Sequence, residues 1–276
     1  MNQQEKMMLN GKVASVTGAG QGMGAAIARR YAAEGASVLV SDLDLGRAES
    51  IAESIRAAGG RADAVKVDVT NVDDAQRLVT TAMELHGRLD IHVNNAGVST
   101  TKLFLDTTVA DFKLNYDVNL IGAFLCGQAA ARVMKERGGG RIINITSLSG
   151  QRGGVGRGAY GASKAALELL TKVMSVELAG WGINTNGIAP GAIKSAMSDE
   201  HHDAATRAAY TYLIPQRRYG LPDEIADAAV FLASDMASHI CGHILNVDGG
   251  YLTAGLMFEM GDYTLPTPPR LKEQAA

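Results

Sequence analysis

Strand-like apolar runs alternate with helix-period stretches along nearly the whole chain, and this alternation most limits the folds open to it. Val13–Thr17, Val38–Ser41, Ala64–Val67, Leu89–Val93, Arg141–Thr146, Asn184–Ala189 and Ile244–Val247 read as strands. Most are short and apolar on both faces, as expected of a sheet covered by helices on both sides. Between them, Gly22–Glu34, Leu45–Ala58, Val72–His86, Val109–Arg137, Tyr160–Ala179 and Pro222–Ala233 carry helical periodicity. Strand, helix, strand in regular order requires right-handed crossovers, so the expected fold class is α/β, a doubly wound parallel sheet flanked by helices. No internal repeat or linker divides the chain, which predicts one domain over residues 1–276. Two segments break the rhythm: 195–220, polar and helical in parts, and the extension 252–276. In the extension, Pro266, Pro268 and Pro269 exclude a continuing helix, while Met257, Phe258 and Tyr263 are apolar enough to need cover.

Composition narrows the partners. Hydrophobic residues make up 46% and charged residues 20%, enough for a sizeable core. A net charge of -3 and the lack of any Lys/Arg cluster argue against nucleic acid or an acidic membrane surface as partner. Met1–Asn10 lacks the apolar core of a secretory signal, and no apolar run is long enough to span a bilayer, so the expected location is cytoplasmic. Cys126 and Cys241 lie far apart with no ligand-spaced neighbours, which predicts neither a disulfide framework nor a metal site. His201, His202 and Asp203 read as a solvated loop, one histidine of which could face substrate; Cys126 reads as core packing.

The first strand runs into Thr17-Gly18-Ala19-Gly20-Gln21-Gly22-Met23-Gly24 and then a helix. Glycines there let the backbone turn tightly and bring peptide N–H groups to a pyrophosphate at the positive end of the helix. This is the dinucleotide-binding arrangement of a Rossmann-type sheet, although Met23 stands where a third glycine would be usual. Asp42 ends the second strand, where a carboxylate accepts hydrogen bonds from ribose hydroxyls and repels a 2′-phosphate. Ala19, Gln21, Met23 and Leu43 supply no cation for that phosphate, so the expected cofactor is NAD.

Tyr160 and Lys164 project from one helix face. A free phenol, with a pKa of about 10, is a poor base at neutral pH, but a neighbouring ammonium favours the phenolate. The same pair also occurs on solvated helices. Ser147 follows a strand, at the sheet end where doubly wound folds bind ligands, and its hydroxyl can hold a substrate oxygen. Asn119, amid Val118, Leu120 and Ile121, is either a satisfied core amide or a link in a proton relay.

Taken together, the ordered motifs resemble the short-chain dehydrogenase/reductase family from about Leu9 to Gly250. Gly18, Gly22 and Gly24 match its glycine motif, and Asn94-Asn95-Ala96-Gly97 its Asn-Asn-Ala-Gly motif. Asp68 and Val69 match an adenine-contacting pair; Pro190, Gly191 and Ser195 match a Pro-Gly-x-x-x-Thr stretch around the nicotinamide, with Ser in place of Thr. Ile193 falls within that stretch, and Val247-Asp248-Gly249-Gly250 matches the closing strand and turn. Asn119, Ser147, Tyr160 and Lys164 fall on the family's catalytic tetrad. The resemblance implies that Tyr160 moves the alcohol proton while Ser147 orients the oxygen. It also implies that Lys164 holds the nicotinamide ribose, that Asn119 binds a relay water, and that no metal is needed.

The function implied is interconversion of a secondary alcohol and its ketone with NAD(H), in a homotetramer. The expected pocket comprises Ser147, Ser149, Gln151, Val155, Tyr160 and Ala192, with Met197 and His202 from the variable substrate loop 195–220. Leu167, Leu169, Leu170, Val173, Met174 and Val176 make the Tyr160 helix apolar over more than one face, which favours a partner subunit. The extension is expected either to cross a subunit interface or to lie on its own subunit. Competing readings are a 3-oxoacyl-thioester reductase, a catalytically silent NAD-binding regulator, and an isomerase or dehydratase with bound NAD.

Overall fold

The computed structural model describes residues 7–194, 203–255 and 257. Seven strands, β1 (Val13–Thr17), β2 (Ser37–Asp42), β3 (Arg61–Lys66), β4 (Ile91–Asn94), β5 (Gly140–Ile145), β6 (Ile183–Pro190) and β7 (Ile244–Val247), form one sheet in the order β3-β2-β1-β4-β5-β6-β7. Every pairing is parallel. The chain order reverses between β1 and β4, which leaves a crevice at their carboxyl ends.

The helices are α1 (Gly22–Ala33), α2 (Leu45–Ala57), α3 (Val72–His86), α4 (Val109–Tyr116), α5 (Ala123–Glu136), α6 (Gly158–Leu178), α7 (Ala204–Leu213) and α8 (Pro222–Ala233). Side-chain alternation along the strands divides the core in two. Ala14, Val16, Val38 and Val40 pack with α1, α2 and α8, whereas Val13 and Leu39 pack with α3 and α5 on the other face. Small residues on α1 (Ala25, Ala28, Ala32) and α8 (Ala226, Ala229, Ala233) are buried together, so the two helices approach closely. Capping follows the sequence: Asp44 and Asn71 accept from the first backbone amides of α2 and α3.

Two expectations change. The stretch expected as one helix, Val109–Arg137, is two helices joined by a π-helical turn, Asp117–Gly122, which carries Asn119. β3 begins at Arg61, ahead of its apolar residues, because its backbone pairs with all of β2. The segment expected to be helical in parts carries α7, with Asp203 as its N-cap. Among the described residues no helix is long and apolar enough to cross a membrane.

Polar side chains thread the centre of the sheet. Ser15 Oγ pairs with His92 Nδ1 at 2.8 Å, and His92 Nε2 with Asn94 Oδ1 at 2.9 Å. Asn94 Nδ2 donates to Asn144 Oδ1 at 2.8 Å, and Asn144 Nδ2 to Thr171 Oγ1 at 2.8 Å. Burial pushes the His92 imidazole down to about 4, so it is neutral within this chain of partners.

Candidate active site

The glycine turn after β1 is held by tertiary contacts. Thr17 Oγ1 accepts from the amides of Asn95 and Ala96, at 3.0 and 3.1 Å. Asn95 Nδ2 returns two bonds, to the Thr17 carbonyl at 2.9 Å and the Gly18 carbonyl at 3.0 Å. A Cβ on Gly24 would lie 2.4 Å from Asn95 Nδ2, so that glycine serves close packing. Gly22, at φ +56°, would meet nothing within 4 Å, so its backbone faces open space. The turn borders a cleft of about 570 Å³ lined in part by Gly18, Gln21, Gly22, Met23, Asp42, Leu43, Asp68, Val69 and Asn95–Gly97. Such a cradle, at a helix N-terminus and the switch point of the sheet, fits a dinucleotide.

Asp42 Oδ2 accepts from the Gly20 amide at 2.9 Å and Oδ1 from the Asp44 amide at 3.1 Å. Asp68 Oδ1 is bonded by the amide and hydroxyl of Thr70 at the cleft wall. Pro190, Gly191 and Ile193 follow at the carboxyl end of β6. The Gly191 amide bonds the Val247 carbonyl at 3.0 Å, and a Cβ there would sit 2.8 Å from Asp248 Cα. Ile193 bridges to Gly220. Ser195, Met197 and His202, expected at the cofactor or substrate, lie outside the described residues, as do 258–276.

The four tetrad positions gather where β4 and β5 end. Asn119 is buried, with Oδ1 accepting from the Val98 amide at 2.8 Å. Its Nδ2 donates to the Val98 carbonyl and Ser163 Oγ, both at 2.9 Å. Both side-chain amide hydrogens are thus engaged by protein partners. Lys164 is only 4% exposed, and its Nζ donates to the Ile145 carbonyl at 2.8 Å. Burial pushes its ammonium down to about 8. A Cβ on Gly97 would lie 3.1 Å from Asn119 Oδ1 and 3.5 Å from Lys164 Nζ, so a side chain there would crowd Asn119 and lie against Lys164.

Ser147 caps the turn Leu148–Gly150 through the Ser149 amide at 3.1 Å and hydrogen-bonds the Tyr160 side chain. Burial raises the Tyr160 phenol, opposed by the Ser147 bond and then by the Arg157 charge. The expectation assigned that opposition to Lys164. Its Nζ lies 5.9 Å from the ring centroid, drawn to a backbone carbonyl, and the Arg157 guanidinium carbon is 5.8 Å from the same centroid.

Known proteins bear on this geometry. A family model described as enoyl-(acyl carrier protein) reductase matches residues 18–252. A 3-oxoacyl-[acyl-carrier-protein] reductase from Synechocystis is 39% identical over 244 residues, covering 88% of this chain and 97% of that protein. The chain belongs to the short-chain dehydrogenase/reductase family. A solved structure of a 7α-hydroxysteroid dehydrogenase with NADH and 7-oxo glycochenodeoxycholic acid superposes with a TM-score of 0.87. Its identity is 38%, covering 91% of this chain and 98% of that one. A gluconate 5-dehydrogenase from Burkholderia cenocepacia, in complex with NADP and tartrate, has a TM-score of 0.87 at 34% identity, covering 92% and 100%.

Against this short-chain dehydrogenase/reductase background, the expected substrate residues separate. Ser149 and Val155 line a second cleft of about 330 Å³, with Thr101, Leu148, Arg152, Arg157, Thr206, Tyr210 and Tyr251. Ser147 and Tyr160, also expected there, are absent from its described lining, and Arg157 connects it to the Tyr160 ring at 5.8 Å. Gln151 does not face it: its Nε2 donates to Glu168 Oε1 at 2.9 Å, and that half-buried carboxylate holds the side chain. Ala192 is absent from the described lining of both clefts, its carbonyl instead accepting from the Gly220 amide at 2.9 Å.

Sequence reasoning missed several residues. Gly20 donates to Asp42, and Arg47, from the first turn of α2, lines the nucleotide cleft and donates to Gln21 Oε1 at 3.3 Å. The glycine repeat held the clue to Gly20. Arg47, Arg152 and Arg157 had none, since an isolated arginine reads as a solvated charge.

Proposed function

We propose that this oxidoreductase interconverts a secondary alcohol and its ketone with NAD(H). The observation that carries the reading is the gathering of Asn119, Ser147, Tyr160 and Lys164 at the ends of β4 and β5, linked to Val98 of the nucleotide cleft through Asn119 and to Arg157 of the second cleft through the Tyr160 ring. When bound, the nicotinamide supplies or accepts the hydride. Gly18, Gln21, Gly22 and Met23 would bind the pyrophosphate at the N-terminus of α1, Gly24 letting that turn pack on Asn95, and Asp68, Val69, Asn95, Ala96 and Gly97 would line the nucleotide's path. Ser147, already bonded to Tyr160, orients the substrate oxygen. The phenol of Tyr160 takes the alcohol proton in oxidation and returns it in reduction. Lys164, anchored on the Ile145 carbonyl, would hold the nicotinamide ribose. Asn119 keeps the Val98 turn and the Ser163 segment of α6 in register around them.

Asp42 favours NAD because a 2′-phosphate would meet its carboxylate. Arg47, the cation nearby, is engaged by Asp44 at 3.5 Å and by Gln21. A homotetramer is supported by apolar side chains left exposed around α4 and α5 (Leu103, Phe104, Leu105, Phe124) and on α6 (Leu169, Val173, Val176). Two free cysteines agree with a reducing, cytoplasmic location. A 3-oxoacyl-thioester substrate is the second reading, favoured by the relative from Synechocystis.

The test is formation of reduced nucleotide from a panel of secondary alcohols, and its consumption with 3-oxoacyl thioesters, each with NAD and NADP. Alcohol turnover with NAD, reduced at least about 100-fold in Tyr160→Phe, is the expected result. Turnover confined to thioesters and NADP would overturn both the substrate and the cofactor reading.

A further inference from the structure

Two arginines, Arg152 and Arg157, stand on the second cleft, whose described lining contains no carboxylate, and Arg157 lies 5.8 Å from the Tyr160 ring. Arg152 lies over the Tyr251 ring, its guanidinium carbon 4.4 Å from the centroid, and Nη1 donates to the Tyr251 carbonyl at 3.2 Å. Among the described residues no carboxylate pairs with it. A guanidinium carries five N–H donors in a planar fork, and this backbone bond uses one of them. The ring beneath holds that fork flat, which lowers the entropy lost when a planar anion binds it.

The rest of the cleft suits the same ligand. Thr101, Ser149 and Thr206 bring hydroxyl groups to it. Arg157 Nη1 donates to Ser99 Oγ at 3.0 Å and to Thr101 Oγ1 at 3.3 Å, which orders the cleft wall on the Tyr160 side. Tyr210 packs edge-on against Tyr251 with centroids 5.7 Å apart, giving an apolar floor next to the cations. An aliphatic or aromatic body on the rings, with an anionic group at Arg152, would satisfy both parts of the surface.

We propose that the natural substrate is a hydroxy acid, a secondary alcohol whose carboxylate is bound by Arg152. This rests on the oxidoreductase reading above and specifies its substrate class. The carboxylate makes charge-assisted hydrogen bonds with the Arg152 fork, and the carbinol is thereby aimed at Ser147 and Tyr160. No chemical step is added; the anion site acts on binding and orientation.

The experiment pairs each acid with its uncharged counterpart in the full-length protein. Turnover is compared for 3-hydroxybutyrate, mandelate and 3-hydroxycyclohexanecarboxylate and for their methyl esters, with NAD and NADP. In parallel, benzoate and benzamide are titrated calorimetrically into the NAD-loaded protein, a readout independent of turnover. At least one acid should exceed its ester by about tenfold or more in kcat/KM, and benzoate should bind tighter than benzamide by a similar factor. Arg152→Gln should collapse both ratios through KM, and Arg152→Lys should restore part of them. Equal use of acid and ester, equal binding of benzoate and benzamide, or ratios unchanged in Arg152→Gln would each overturn the anion site. If no acid or ester turns over but benzoate retains an Arg152-dependent preference, the anion site stands and the alcohol-oxidation reading fails.

Discussion

Asp42 Oδ2 accepts a hydrogen bond from the Gly20 amide at 2.9 Å, which holds the carboxylate ending β2 against the glycine turn. The same contact makes Gly20 obligatory there, since a Cβ would lie 2.8 Å from Asp42 Oδ2 and 2.6 Å from Arg47 Cβ. Replacing the carboxylate removes both a ribose acceptor and the charge that repels a 2′-phosphate. Asp42→Ala should lower kcat/KM with NAD at least about tenfold while NADP gains, because the carboxylate facing the 2′-position is gone. Steady-state kinetics with the two nucleotides measure the ratio, and an unchanged ratio would refute the role given to Asp42.

Gly24 and Gly22 should fail differently. A methyl at position 24 would meet Asn95 Nδ2 and the Gly18 carbonyl, both at 2.4 Å, where the turn is tied to β4. Gly24→Ala should therefore destabilise the fold by about 1–3 kcal/mol and weaken nucleotide binding together. Gly22→Ala meets no atom and strains only its φ of +56°, a cost of about 1–2 kcal/mol. Its loss of nucleotide affinity should exceed its loss of stability. Denaturant melts and NADH fluorescence titrations separate the two effects.

Lys164 is fixed by the Ile145 carbonyl, and burial holds its ammonium near 8. Contact with ribose hydroxyls favours the charged form, so NAD affinity should decline as the pH rises through about 8. Lys164→Met should abolish that pH dependence and lower turnover at least about 100-fold. An NAD titration flat from pH 7 to 9 in the wild type (roughly one unit either side of this value) would contradict it.

His92 makes acid stability testable. Its imidazole is held down at about 4 by burial, against an ordinary value near 6.5. Above about pH 6.5 it is neutral in both folded and unfolded chains and its contribution is fully present. As the pH falls from 6.5 towards 4 the unfolded chain takes up a proton that the folded chain refuses. Stability should drop over this window by about 3 kcal/mol in total. In His92→Gln, urea melts across the same range should show a shallower decline, although the variant starts lower through its disturbed bonds to Ser15 and Asn94.

Much of this protein was readable along the chain. Apolar periodicity located all seven strands, and the glycine turn, Asp42, Ser147, Tyr160 and Lys164 each announced themselves by position after a strand or by helical spacing. Such features are local: periodicity reports which face an element buries, and a turn sequence reports its own backbone demands. The π-helical turn at Asn119 was not readable, because no proline marks it and its geometry is set by the Asn119 amide reaching Val98 and Ser163.

What the sequence alone determined is therefore the order of elements, the sheet they must form, and which residues stand at its ligand-binding end. Only the tertiary structure decided how those residues are used. Asn95 clamps the Thr17 turn from 78 positions away, Lys164 turns to Ile145, Arg47 enters the nucleotide cleft, and Arg152 settles on Tyr251 beside the substrate cleft. The physical reason is that parallel crossovers bring distant segments to one edge, where hydrogen bonds and charges act through space. An arginine's role there depends on what the fold sets beside it.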